Sequence, residues 1–170
     1  GDVLLSRQTH TYTITSTRPG QPDANLGQFD FPIGKSLSED GRTLLYDEQG
    51  LANEGELYTY VRATDGSPPV RLGPGYARDL SPDGKWAINI HKSKVRLLPR
   101  GAGIPRELDL GPIGSTHLIN WHPDGQRLVV MGSEKGRPMR LYVLPITGGA
   151  PRAITPEGVS YSSGAIVKMV

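Results

Sequence analysis

Apolar positions come in short runs, each closed within a few residues by Gly, Pro, Asn or Asp. The clearest series is Leu118-Ile119-Asn120-Trp121, the turn Pro123-Asp124-Gly125, then Arg127-Leu128-Val129-Val130-Met131. A polar loop from Gly132 to Pro138 leads to Arg140-Leu141-Tyr142-Val143-Leu144 and finally Arg152-Ala153-Ile154. Short β-branched or aromatic runs between turn formers predict strands joined as hairpins. No stretch of useful length carries apolar residues at helical spacing, so essentially no α-helix is expected.

The pattern repeats. Leu37-Ser38-Glu39-Asp40-Gly41-Arg42-Thr43-Leu44-Leu45, Leu80-Ser81-Pro82-Asp83-Gly84-Lys85-Trp86-Ala87-Ile88 and Trp121-His122-Pro123-Asp124-Gly125-Gln126-Arg127-Leu128-Val129 superimpose directly. Gly-x-Pro trails each at Gly66-Ser67-Pro68, Gly103-Ile104-Pro105 and Gly149-Ala150-Pro151, with an upstream copy at Gly20-Gln21-Pro22. Two markers at a common period of about 40 residues, with four strands per unit, predict β-propeller blades. Asp40-Gly41, Asp83-Gly84 and Asp124-Gly125 are structural in this reading. A tight hairpin needs positive φ, which Gly adopts freely and Asp tolerates.

Composition narrows the classes. Among 170 residues there are 22 Gly and 15 Pro, which only closely spaced turns can absorb, so a helical bundle is excluded. The absence of Cys excludes disulfides, thiolate catalysis and Cys-based metal centres. No apolar run approaches the roughly 20 residues of a membrane helix, and the start Gly1-Asp2-Val3-Leu4-Leu5 does not read as a signal peptide. Any targeting segment is expected outside this chain.

Ser81-Pro82-Asp83-Gly84-Lys85 before an apolar strand, Leu141-Tyr142-Val143-Leu144, and Gly149-Ala150-Pro151-Arg152-Ala153-Ile154-Thr155 resemble the WD40-like (PD40) repeat of TolB-type bacterial propellers. Thr43-Leu44-Leu45-Tyr46-Asp47-Glu48-Gln49-Gly50, with Lys85-Trp86 and Arg71-Leu72-Gly73, is similar to propeller regions attached to bacterial serine/threonine kinases and transcriptional regulators. The sequence departs from the pattern at Glu39, where the repeat has Pro, and at His122, where it has Ser.

The resemblance implies an all-β propeller segment of about four four-stranded blades, either a partial propeller or a piece of a larger, six-bladed ring. The blades are expected near 1–35, 36–77, 78–118 and 119–164, with 165–170 supplying an inner strand to the first blade or the next.

Charge is uneven. Residues 1–66 hold ten acids against five bases, residues 67–170 seven acids against fourteen. From Lys85 to Arg106 there are six bases and no acid. Such asymmetry suits an anionic partner or a dipolar assembly, and a solvated edge strand protected from aggregation also accounts for the run. Nucleic acid is not favoured, because aromatic side chains are not interleaved there.

The search for chemistry is negative. There is no Gly-x-Ser-x-Gly, no His-Glu-x-x-His and no phosphate-binding glycine loop with Lys. One Asp per blade cannot converge as paired catalytic carboxylates must. Four scattered histidines without carboxylate partners make no metal site; His122 is expected to bond its own turn. No catalytic residue, metal or cofactor is therefore expected. Trp86, Trp121, Tyr58, Tyr60 and Tyr142 are expected to pack between sheets.

Blade topology puts the Asp-Gly hairpins at one end and the remaining loops at the other. The second end is expected to bind, through Glu48, Asn53, Tyr76, Arg78, His91, Lys92, His117, Lys135, Arg137 and Tyr161, with 48–55 as the contact loop. The expected function is a non-enzymatic module for protein interaction or ligand sensing within a larger bacterial signalling protein. Its partner would be a protein, a peptide or a small ligand, and open blade edges allow a homodimer. The resemblance favours an extracytoplasmic location. The alternative is the accessory propeller of a prolyl-oligopeptidase-type hydrolase whose catalytic domain lies elsewhere.

Overall fold

A computed structural model describes residues 12–17, 19–20, 22–27, 31–49 and 56–159. Among these every regular element is a strand. A two-stranded sheet pairs β1 (Thr15–Ser16) with β2 (Ala24–Asn25). Three four-stranded antiparallel sheets follow. The first holds β3 (Phe31–Leu37), β4 (Thr43–Gln49), β5 (Leu57–Ala63) and β6 (Val70–Pro74). The second holds β7 (Tyr76–Leu80), β8 (Trp86–His91), β9 (Lys94–Pro99) and β10 (Arg106–Leu108). The third holds β11 (Ile113–Trp121), β12 (Arg127–Glu134), β13 (Arg140–Pro145) and β14 (Arg152–Ala153). Strands lie in chain order within each sheet, as successive hairpins require.

The first four-stranded sheet starts at Phe31, five residues ahead of its expected start at 36. Pro32 and Gly34 read as breakers, but β3 is an edge strand, where a missing backbone donor costs no ladder bond. The segments 1–11 and 160–170, including the expected terminal strand, lie outside the described residues.

The hairpin turns work as the repeat implies. Gly41, Gly84 and Gly125 take φ of +69°, +67° and +67°. In the first two turns Ser38 and Ser81 donate to the carboxylates of Asp40 and Asp83 at 2.6 Å. The serine hydroxyls then accept from the N–H of Thr43 and Trp86 at 2.8 and 2.9 Å. Those hydroxyl bonds are the main reason the Asp40 and Asp83 carboxyls titrate below their ordinary range. In the third turn His122 Nδ1 accepts from the Asp124 N–H at 3.2 Å.

Side chains alternate between the two faces of each strand, and both faces are used. On β4, Leu44 and Tyr46 pack with Leu26 and Tyr60. Leu45 points the other way, against Ala77, Leu80 and Ala87 of the second sheet. On β8, Ile88 joins Ile113, Ile119, Trp121, Leu128, Val130 and Tyr142 of the third. Each fully buried Leu or Ile contributes about 1.5–3 kcal/mol, and none of it is available to a sheet without its neighbour. Trp121, Tyr60 and Tyr142 are buried in these seams as expected, and Trp86 is partly buried.

The seam between the first and second four-stranded sheets also holds a buried polar network. Asn89, fully buried, donates to Thr59 Oγ1 at 2.7 Å and accepts from Arg96 Nη2 at 2.7 Å. Thr59 Oγ1 donates to the Gly75 carbonyl at 3.1 Å. Burial beside this network lowers the Arg96 pKa. Gly75 alone connects the two sheets. Its φ is +112°, and a Cβ there would stand 2.4 Å from the Ile90 carbonyl oxygen.

Candidate binding face

The first strands of the three sheets, β3, β7 and β11, run side by side, and one carboxylate sets their register. Asp79 Oδ1 accepts from the Ser36 hydroxyl at 2.8 Å. Its Oδ2 accepts from the Trp121 N–H at 2.9 Å and from Asn120 Nδ2 at 3.3 Å. A single side chain on β7 therefore holds the strand on either side of it.

Counting back from this clamp places the candidate residues. Lys35 and Arg78 stand one residue before Ser36 and Asp79, and Ile33 and Tyr76 stand three before. His117 lies three before Asn120, at a bulge between Thr116 and Leu118. Tyr76 is 52% exposed and Ile33 47%; Arg78 and His117 are exposed as well. The Arg78 charge acts on the Asp47 carboxylate without a close ion pair among the described residues. Lys35 turns inward instead, its side chain 24% exposed and its Nζ 3.4 Å from Asp47 Oδ2. Asp47 is fully buried, and its other oxygen accepts from the Ala77 N–H. Burial pushes the Asp47 carboxyl up to about 6, against the opposing pull of that N–H and of Lys35.

Tyr76, Arg78 and His117 thus lie on the neighbouring strands β7 and β11 rather than on the connectors where they were expected. The connector between the first two sheets is Gly75 alone, so the chain enters β7 at once. His117 falls inside β11, which runs on to a bulge and is longer than its counterparts.

Glu48 is a correction. It is fully buried in β4, opposite Tyr58, because β4 continues to Gln49 instead of ending at a loop. His91 closes β8 with Nε2 3.6 Å from Glu56 Oε1. Lys92 and Ser93 form the two-residue turn after it, both with positive φ, 49° and 62°. Lys135 is exposed in the turn after β12, and Arg137 lies 3.5 Å from Glu157 Oε1. These four belong to two hairpins, β8–β9 and β12–β13, and of them His91 packs beside Gly75, next to Tyr76. Asn53 and Tyr161, with most of the expected contact loop, lie outside the described residues. Among the described residues no group of three or more His, Cys, Asp or Glu stands where it could hold a metal ion, and no helix is long and apolar enough to cross a membrane.

Ile33 and Lys35 escaped the sequence reading because residues up to 35 were assigned to the preceding blade. The alternation Phe31, Ile33, Lys35 within a single run was the available signal.

No family model matches the chain, and no curated protein matches it by sequence. Solved structures do. TolB from Acinetobacter baumannii superimposes with a TM-score of 0.63 at 18% identity, over 81% of this chain and 36% of that one. A protein assigned as TolB from Agrobacterium tumefaciens gives 0.66 at 20%, over 84% and 53%. The fold is a TolB-type β-propeller. This propeller also superimposes on the propeller domain of the Trilobed protease from Pyrococcus furiosus, described as having an open velcro topology, at 0.52 and 12% identity over 82% and 47%. It therefore spans about a third to a half of these three solved chains, and its three four-stranded sheets are consecutive blades of a partial propeller.

Proposed function

We propose that this propeller is a non-catalytic module that binds another protein or a peptide at the first-strand face, as part of a larger bacterial signalling protein outside the cytoplasm. The reading rests on one observation. Tyr76 and Arg78, the residue types that most often anchor protein interfaces, stand exposed with Ile33 and His117 on strands that Asp79 holds in register. A preordered face loses little conformational entropy on binding.

The test is a photo-crosslinking amino acid placed at Tyr76 in the full-length protein in its own cell, with the outer-strand position Val70 as control. A partner is expected from Tyr76 and not from Val70. With that partner purified, Tyr76→Ala and Arg78→Ala should each weaken binding by about tenfold or more without changing the melting temperature. Adducts from Val70 alone would overturn the reading.

A second reading, an accessory propeller of a peptidase, is favoured by the likeness to a prolyl endopeptidase structure, at a TM-score of 0.55 and 14% identity over 83% of this chain and 25% of that one. The adjoining reading frame discriminates. A kinase or DNA-binding domain supports sensing; an α/β-hydrolase domain with Gly-x-Ser-x-Gly supports the accessory role.

A further inference from the structure

The six basic residues between Lys85 and Arg106 do not form one charged strand. Lys92 sits in the β8–β9 turn and Lys94 directly follows it, and Arg96 is drawn into the polar network with Asn89. Lys85, Arg100 and Arg106 instead gather around one indole at the Asp-Gly end of the propeller, the end opposite Tyr76. Lys85 and Arg100 line a cavity of about 470 Å³ with Trp86 as its apolar wall. The Arg106 guanidinium carbon lies 4.7 Å from the centre of the Trp86 ring.

One carboxylate lines that cavity, and it is engaged from within. Asp83 Oδ1 accepts from Ser81 Oγ at 2.6 Å and the Lys85 N–H at 3.1 Å, while Oδ2 is 3.6 Å from Lys85 Nζ. Two cations, Lys85 and Arg100, line the cavity against this one acid, Arg106 stacks on its Trp86 wall, and Glu39 and Asp40 line the adjoining hollow beyond Arg100. The loop that closes the cavity, between β9 and β10, also carries Ile104, 82% exposed. A strand edge protected from aggregation accounts for the cations but not for an isoleucine displayed beside them.

We propose that this end of the propeller is a second interaction surface, built on Trp86, Arg100 and Ile104, that takes an acidic peptide segment of a partner protein carrying an apolar side chain. Its carboxylates would meet Arg100 and Lys85, and its apolar side chain would cover Ile104. An oligonucleotide fits less well. It would need an open aromatic face for stacking, and Arg106 already occupies one face of the only aromatic ring lining the cavity.

The proposal is tested on the whole chain by fluorescence anisotropy with a labelled Glu-Leu-Glu-Glu-Leu-Glu peptide, at two salt concentrations. The parent should bind it, more weakly at high salt. Arg100→Glu should weaken binding about tenfold or more and Ile104→Ser several-fold, both with unchanged melting temperature, and Arg152→Ala on β14 should have no effect. The proposal fails if Arg100→Glu binds as the parent does, or if the matching Lys-Leu peptide binds equally well. It also fails if an oligothymidylate of equal charge binds more tightly. None of these outcomes bears on the first-strand face, which Tyr76→Ala reports separately.

Discussion

The Ser36 hydroxyl donates to Asp79 Oδ1 at 2.8 Å, joining residues 43 positions apart on the first strands of two successive blades. The second oxygen of the same carboxylate reaches the backbone of the third blade at Trp121. Removing this group strands a backbone N–H and a hydroxyl in a part-buried seam. Asp79→Ala is predicted to cost about 2–4 kcal/mol in urea unfolding, and Asp79→Asn, which keeps one acceptor oxygen, less. An Ala variant within about 0.5 kcal/mol of the parent would show that the seam does not depend on the clamp.

Gly75 carries two separate constraints, a positive φ and a contact with the Ile90 carbonyl. Gly41 carries only the first, since no atom lies within 4 Å of its would-be Cβ. Gly41→Ala should therefore cost about 1–2 kcal/mol. Gly75→Ala must also shift backbone and should cost at least about 3 kcal/mol. Equal losses in thermal melts would contradict the single-residue connector.

The buried amide of Asn89 joins Thr59 of the first four-stranded blade to Arg96 of its own. Asn89→Ala leaves both partners short of a bond and is predicted to cost about 2–3 kcal/mol. A double-mutant cycle with Thr59→Val should return a coupling of about 1 kcal/mol or more, where independent losses would simply add.

Stability should carry a pH signature from Asp47. Its folded-state pKa, about 6, lies above that of an unfolded aspartate, so the folded state binds its proton more tightly. The contribution is fully present below about pH 4, is lost as the pH rises through about 6, and is flat above that. Asp40, Asp83 and Asp124, whose pKa values are lowered, contribute in the opposite sense as exposed, solvent-screened groups. Asp47→Asn should therefore gain stability relative to the parent between pH 5 and pH 7. If the two proteins change in parallel across that interval, Asp47 is not the group responsible.

Much of this architecture is legible locally. The turns are, because Ser38, Asp40 and Gly41 satisfy one another within a few residues and need nothing distant. His122 in place of Ser was legible for the same reason. The binding face was legible only in part. Tyr76, Arg78 and His117 were singled out for their chemistry, yet their places on β7 and β11 depend on where one blade hands over to the next. Glu48 went wrong at a strand end, where the polar run Glu48-Gln49-Gly50 reads as loop. Whether it is buried depends on its neighbours across the sheet.

The order of strands, the repeat and the turn chemistry follow from the sequence by itself, because hairpins form from contacts near in the chain and their signals are periodic. The tertiary structure alone decided which side chains share a face and which charges are withdrawn from solvent. It divided the basic run from Lys85 to Arg106 among three environments and set Lys35 against Asp47. Those outcomes rest on packing between blades some 40 residues apart, where side chains meet by the rotation of one sheet on another, and no local pattern encodes that angle.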